Sequence, residues 1–142
     1  MHKRIPKVLI VDDNANARQV LQDMLSNLRV ATDAAANGKE AVALIKKADA
    51  ELAPYEMVLL DWHMPHMDGF ATARAIVGES LLSPPKLVLV TAFGHDERIF
   101  QEADELGISE VMIKPVSPST LFETTTRALG LRSGDLAALT FG

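Results

Sequence analysis

The chain has 142 residues, no cysteine, and 14 basic against 19 acidic residues, which give a formal net charge of −5. This length is typical of one domain, and the acidic balance without a basic stripe argues against direct nucleic-acid binding. The missing cysteines exclude disulfides, thiol catalysis and Cys-ligated zinc, and they fit a cytoplasmic location. The apolar runs are too short for a membrane span or a signal peptide. We therefore expect no membrane contact by this chain.

Two kinds of apolar pattern alternate along the chain. Short runs rich in Val, Leu and Ile are typical of buried strands, and apolar residues three or four positions apart are typical of one helix face. In chain order these patterns predict a strand at 7–11, a helix at about 15–28, a weak strand at 30–35, a helix at about 39–49, a strand at 57–60, a weak helix at 69–80, a strand at 86–90, a helix from Ile99 to Leu106 ended by Gly107, a strand at 111–113 and a helix that starts at Ser117-Pro118.

This alternation defines the expected fold class. Strands that are apolar throughout, with helices between them, indicate a parallel sheet covered on both faces. We expect a three-layer α/β sandwich built from five strand–helix units, with a domain over residues 5–130. Residues 131–142 are too few for a second domain and are interpreted as a tail or the stub of a linker.

Polar side chains follow four of the predicted strands, at the point where each strand ends. Asp12 and Asp13 follow the first strand, Asp61 the third, Thr91 the fourth and Lys114 the fifth. Because function in open α/β sheets collects outside the carboxyl ends of the strands, we expect these side chains to meet. Each has a plainer interpretation when taken alone: a solvated acid, a helix cap, a surface lysine or an ordinary strand end.

The chemistry of such a group follows from its charges. Clustered carboxylates repel one another and raise a pKa unless a cation neutralises them. Mg²⁺ suits oxygen ligands and few carboxylates, and a carboxylate beside it can act as a nucleophile toward phosphorus. Lys114 and the Thr91 hydroxyl are suited to hold phosphoryl oxygens.

These motifs together resemble a response-regulator receiver domain of the CheY-like kind. They are DD at 12–13, D at 61 followed by MPHMDG at 64–69, TA at 91–92 and KP at 114–115. The resemblance covers roughly residues 5–130 and keeps the family's order and spacing. It implies a doubly wound, flavodoxin-like fold with five helices and a five-stranded parallel sheet in the order 2-1-3-4-5.

The resemblance also implies a role for each site residue. Asp61 would be the phosphoacceptor, taking a phosphoryl group from a phosphohistidine, with Thr91 and Lys114 contacting that group. The Mg²⁺ ligands would be Asp13 directly, Asp12 mostly through water, Asp61, and the backbone carbonyl of His63. The bond between Lys114 and Pro115 is commonly cis in such domains, and Asp68-Gly69 would turn the loop into the third helix.

The implied partner is a histidine kinase or a histidine phosphotransfer protein, and a weak homodimer stays open. The chain would be the receiver segment of a hybrid sensor histidine kinase, which its DWHMPHMDG phrasing favours, or a stand-alone single-domain regulator. Its own reaction would be phosphoryl uptake and loss, whether or not the parent protein is a kinase.

One position departs from the family pattern. The last strand usually carries a Tyr or Phe three residues before the lysine, and here that position is Val111. The usual aromatic switch is therefore absent unless Phe93 substitutes for it. In the active-site loop, His63 would either tune the acyl-phosphate lifetime or face solvent, and a zinc site of His63 with His66 has little support.

Two other classes of protein compete with this interpretation. A phosphohydrolase of the haloacid dehalogenase type also forms an aspartyl-phosphate, but it needs a second Asp two residues after the nucleophile on the first strand. Asp12-Asp13 lacks that spacing. A receiver-like interaction module that is never phosphorylated is the other alternative, and failure to bind Mg²⁺ would identify it.

Overall fold

The computed structural model describes residues 5–63, 68–92, 97–108 and 110–130. Within these ranges strands and helices alternate from the first element to the last. The strands are β1 (Lys7–Val11), β2 (Ala31–Ala35), β3 (Met57–Asp61), β4 (Lys86–Thr91) and β5 (Glu110–Ile113). The helices are α1 (Ala15–Leu25), α2 (Gly38–Ala50), α3 (Gly69–Val77), α4 (Glu97–Glu105) and α5 (Pro118–Leu129). The predicted tail at 131–142 lies outside the described residues.

The strands form a parallel sheet in the order β2-β1-β3-β4-β5. β1 pairs with β2 on one side and with β3 on the other, with Val11 opposite both Ala35 and Leu60. The strand order therefore reverses at β1, and the carboxyl ends of β1 and β3 open onto a crevice. The predicted fold class and strand order are confirmed.

Helices cover both faces of the sheet, and neighbouring residues of each strand point to opposite faces. On one face Ile10 and Leu59 pack with Leu21 of α1 and Leu121 of α5. On the other face the alternate strand residues pack with α2, α3 and α4; the members of this second cluster include Leu9, Val58, Leu60, Leu89, Ile45, Ile76 and Ile99. Burial on both faces explains why these strands are apolar throughout.

Helix boundaries differ from the predicted ones by a few residues. α1 ends at Leu25 rather than near 28, because the chain turns there: the Ser26 hydroxyl donates to the carbonyl of Asp23, and the Leu28 N–H bonds the Leu25 carbonyl. Leu28 stays buried although it is outside the helix. The weak helix predicted at 69–80 is a real one over Gly69–Val77.

Among the described residues, no helix combines the length and the apolar character that crossing a bilayer requires.

The turn that follows α2 contains a residue with an unusual backbone conformation. Leu52 has φ 60°, a left-handed conformation in which a Cβ is disfavoured. Its N–H bonds the Asp49 carbonyl, and the N–H of Ala53 bonds the Ala48 carbonyl. This pair of bonds is the Schellman arrangement, whose left-handed position is usually glycine. The Leu52 side chain is 79% exposed, so it contributes little packing in return.

We expect Leu52→Gly to raise the free energy of unfolding by about 0.5–1 kcal/mol, because relief of the left-handed strain exceeds the added entropy of the unfolded chain. Urea unfolding followed by circular dichroism measures the change. The matched control is Leu82→Gly, since Leu82 is 75% exposed and carries no positive φ. A loss of stability in Leu52→Gly would contradict the strain argument.

Candidate functional site

Three carboxylates meet at the carboxyl edge of the sheet. Asp12 directly follows β1 and Asp61 is the last residue of β3, which places them at neighbouring strand ends. Both are buried, at 2% and 6% exposure, whereas Asp13 is exposed. One oxygen from each of the three carboxylates lies within 4.8 Å of the others. The predicted grouping of these acids is therefore present.

Hydrogen bonds hold Asp12 in place. Its N–H donates to the carbonyl of Ala35 in β2 over 3.1 Å, and its Oδ1 accepts the N–H of Asn14 over 2.9 Å. The cap of α1 is Asn14, whose side chain accepts the N–H of Ala17. Because Asn14 performs the capping, neither carboxylate of the Asp12-Asp13 pair is used for it.

Lys114 reaches the same carboxylates from the other side of the crevice. It follows β5, and its own N–H donates to the carbonyl of Thr91 over 2.8 Å. Its Nζ lies 2.9 Å from Asp61 Oδ1 and 3.8 Å from Asp12 Oδ2. The peptide bond from Lys114 to Pro115 is cis, as the resemblance implied.

Thr91 ends β4 at the same edge and is buried. In the sheet register Asp61 pairs with Val90. Thr91 therefore lies one residue further along the strand direction, toward the carboxyl edge of the sheet. The structure thus brings together the strand ends that carry all of the predicted side-chain positions.

Burial and neighbouring charges shift the pKa values of the ionisable groups in the crevice. Burial is the main reason that the pKa values of Asp12 and Asp61 lie above their usual range, and the neighbouring acids add to it. The hydrogen bond from Asn14 to Asp12, that from Lys114 to Asp61 and the Lys114 charge lower these pKa values but do not cancel the rise. Burial favours the neutral amine of Lys114, yet the hydrogen bond to Asp61 and the three acids outweigh it and raise the pKa of Lys114.

The first residue of α3, Gly69, packs directly against the end of β3. A Cβ on Gly69 would stand 2.9 Å from the carbonyl oxygen of Asp61 and 2.9 Å from the Cα of Trp62. Asp68 caps α3 by accepting the N–H of Ala71 over 2.8 Å. Both residues therefore have a structural role beyond turning the chain. The missing side chain of Gly69 lets α3 begin close to Asp61, and Asp68 caps that helix.

The remaining residues singled out from the sequence have simpler surroundings. Trp62 is half-buried and packs edge-on against Phe70, with ring centroids 6.3 Å apart. His63 is exposed, and its ring lies 6.1 Å from that of Trp62. Val111 is half-buried in β5, opposite Leu89 of β4. His66 and Phe93 lie outside the described residues.

Sequence reasoning missed Arg18. Its Nη1 donates to the backbone carbonyl of Asp12 over 2.7 Å, from a position on the second turn of α1. No sequence pattern signals this contact, since an arginine on an exposed helix face is ordinary. The clash that a Cβ on Gly69 would cause also has no sequence signal, because it depends on how closely the start of α3 approaches the end of β3.

The donor set fits a hard divalent cation. The three carboxylates supply only oxygen ligands, and two of them are buried with pKa values raised by that burial. A cation held between them would lower the cost of keeping them ionised. Such oxygen ligands, few in number and open to water at Asp13, match what Mg²⁺ requires.

The fold and the site together define a class of protein. It is a parallel α/β domain with an acidic crevice at the switch point of its sheet, and the ammonium group of a lysine reaches into that crevice. The profile of the response regulator receiver domain matches residues 8–126. The chain therefore belongs to the response regulator receiver domain family.

Individual relatives agree with this assignment. Chemotaxis protein CheY-3 of Vibrio cholerae is 31% identical over 118 residues, which are 82% of this chain and 86% of that protein. Transcriptional regulatory protein ResD of Bacillus subtilis is 36% identical over 79% of this chain, but the match spans 43% of ResD. The structure of V. cholerae CheY4 superimposes with a TM-score of 0.79 at 29% identity, covering 89% of this chain and all of that one.

We expect Asp12→Asn to stabilise the metal-free protein at neutral pH by about 1 kcal/mol, because it removes a buried charge and can keep the hydrogen bond to Asn14. A carboxyl whose pKa is raised on folding binds its proton more tightly in the folded state. Its penalty is therefore fully present at pH values above the folded pKa and is relieved as the pH falls toward the unfolded value of 3.8. Urea unfolding at several pH values in chelator measures this.

Glu123→Gln, which makes the same charge change on an exposed position of α5, is the control and should show no such gain. Equal stability of wild type and Asp12→Asn across this pH range would contradict the electrostatic account.

Proposed function

We propose that this receiver domain, over residues 5–130, is a Mg²⁺-dependent phosphoacceptor of a two-component phosphorelay. In this proposal Asp61 takes a phosphoryl group from a phosphohistidine. The observation that supports it most directly is the grouping of Asp12, Asp13 and Asp61 within 4.8 Å, with the Lys114 ammonium 2.9 Å from Asp61.

The transfer places each residue in a defined role. An ionised oxygen of Asp61 attacks phosphorus, an O–P bond forms, the P–N bond of the phosphohistidine breaks, and its electron pair stays on the imidazole nitrogen. Lys114 and the Thr91 hydroxyl hold phosphoryl oxygens, where positioning and electrostatics supply most of the catalysis. The ion pair of Lys114 with Asp61 favours the ionised form of the acceptor before transfer.

The cation site in this proposal consists of Asp12, Asp13, Asp61 and the backbone carbonyl of His63. When bound, Mg²⁺ supplies positive charge that offsets both the carboxylates and the incoming phosphoryl oxygens. Asp13 is exposed and open to a hydrated ion, whereas Asp12 is buried behind it.

The proposal extends to the protein context of the domain. Relatives that are covered almost throughout, such as CheY-3, favour a response regulator over the hybrid sensor histidine kinase that the DWHMPHMDG phrasing suggested. The hybrid kinase, the cytoplasmic location and a weak homodimer stay predictions. A histidine kinase or histidine phosphotransfer protein is the proposed phosphodonor.

We expect Trp62 emission to change saturably with Mg²⁺ and to change again with beryllofluoride, a phosphoryl mimic. Asp61→Asn should lose the second change because the mimic has no acceptor carboxylate to bind. Asp104→Asn, on the exposed face of α4, serves as the matched control and should behave as wild type. If Mg²⁺ produces no response and mass spectrometry finds no acyl phosphate after a phosphodonor, the domain is better described as an unphosphorylated interaction module.

A groove beside the acceptor suits the surface of a protein phosphodonor. Its volume is about 480 Å³, and it extends from Asp12 and Lys114 along α1 to Val116. Val20 lines this groove and is 50% exposed, so an apolar residue faces solvent next to the site. A phosphodonor protein that presents histidine to Asp61 would cover this surface.

We expect Val20→Glu to slow transfer from a phosphorylated histidine phosphotransfer protein about tenfold, because it puts a charge into an apolar contact. Transfer from acetyl phosphate, which needs no docking surface, should be unchanged. Rapid-quench measurement of both reactions separates docking from chemistry. Val77→Glu on α3, where Val77 is 59% exposed, is the control, and an equal effect of both variants would contradict docking at α1.

A further inference from the structure

Arg18 reaches back over the start of its own helix to a residue of the acidic crevice. Its Nη1 donates to the carbonyl oxygen of Asp12 over 2.7 Å, and this hydrogen bond is partly buried. Arg18 lies on α1, four residues after the Asn14 cap, and its backbone N–H bonds the Asn14 carbonyl as a regular helical residue. The contact therefore ties the side chain of a rigid helix to the end of β1.

The carbonyl that Arg18 binds belongs to the peptide unit between Asp12 and Asp13. A peptide unit is planar, so the orientation of that carbonyl also determines the direction in which the chain leaves toward Asp13. The N–H and the carboxylate of Asp12 are held by Ala35 and Asn14, respectively. Arg18 adds a hydrogen bond to the carbonyl of Asp12, which restrains the peptide unit that leads to Asp13.

Helix stability does not account for an arginine at this place. The N-terminus of a helix carries partial positive charge, so a guanidinium directed toward it is disfavoured. α1 has no acidic residue in its first turn that would compensate. The favourable interaction that Arg18 does make is with the peptide unit joining two carboxylates of the candidate cation site.

We propose that Arg18 is a positioning residue, which orients the peptide unit between Asp12 and Asp13 so that the Asp13 carboxylate faces the cation. This inference rests on the proposed Mg²⁺ site. Arg18 contacts neither the phosphoryl group nor the ion in this role, and it acts through Asp13.

Replacement of Arg18 separates this role from a purely electrostatic one, because the two predict opposite signs. If Arg18 only repelled the divalent ion, Arg18→Met would tighten Mg²⁺ binding. If Arg18 orients Asp13, Arg18→Met should raise the Kd for Mg²⁺ about tenfold, as loss of outer partners of metal ligands commonly does. Isothermal titration calorimetry with Mg²⁺ alone measures the Kd without any phosphoryl transfer.

Arg74→Met is the matched control, since it removes the same charge from the exposed Arg74–Glu102 pair between α3 and α4. Its Kd should equal that of wild type. Thermal unfolding in chelator shows first whether each variant is folded. If Arg18→Met is not folded, Arg18→Lys decides: a Kd above the wild-type value supports the proposal, and an equal or lower Kd overturns it.

A double-mutant cycle tests whether Arg18 acts through Asp13. In the Asp13→Asn background, the change from Arg18 to Met should alter the Kd much less than in wild type. A full tenfold loss in that background would overturn the role assigned to the peptide unit.

The outcomes also distinguish this proposal from the proposed function. An unchanged or lower Kd in folded Arg18→Met overturns the positioning role and leaves the phosphoacceptor proposal intact. Mg²⁺ binding that depends on Arg18, without phosphorylation of Asp61, supports the positioning role and contradicts the proposed function. A wild-type chain that does not bind Mg²⁺ overturns both.

Discussion

The structure around the crevice depends on one electrostatic conflict. Asp12 and Asp61 are buried at adjacent strand ends, and burial raises the pKa of both carboxyl groups. Lys114, with its Nζ 2.9 Å from Asp61 Oδ1, offsets part of that cost. The remaining cost favours added positive charge at the crevice, such as a bound divalent cation.

The fold places these groups by restraining backbone. β1 lies between β2 and β3, so the residue after β1 and the last residue of β3 emerge side by side. Gly69 allows the start of α3 to approach the Asp61 carbonyl, and Asn14 caps α1 without using either acid of the Asp12-Asp13 pair. Rigid strand ends and a separate cap leave the carboxylates available for chemistry.

Much of this arrangement could be predicted from the sequence because it follows from local patterns. Strands buried on both faces are apolar throughout, and their parallel order brings Asp12 and Asp61 to one edge. Contacts that depend on the exact path of the chain left no such pattern: neither the reach of Arg18 to the Asp12 carbonyl nor the close approach of Gly69 to Asp61 has a sequence signal. The left-handed Leu52 breaks the preference for glycine, so it also could not be anticipated.

Val111 lies at the position where the resemblance to the family places an aromatic signalling switch, not at a position that it assigns to phosphoryl transfer. It is half-buried in β5 and packs against the core under α2, α3 and α4, where the family usually has an aromatic ring. In the proposed function the phosphoryl chemistry takes place in the crevice, and Val111 is not among the residues assigned to it. In that proposal, a signal from the phosphorylated domain would not use rotation of an aromatic ring at this position.

The most direct test of the account is the mass of the intact chain and of its peptides after incubation with Mg²⁺ and a phosphorylated histidine phosphotransfer protein or acetyl phosphate. The account predicts the gain of one phosphoryl group, located on Asp61 and absent when Mg²⁺ is chelated. An unmodified chain with both donors, or a phosphoryl group on another residue, would contradict it.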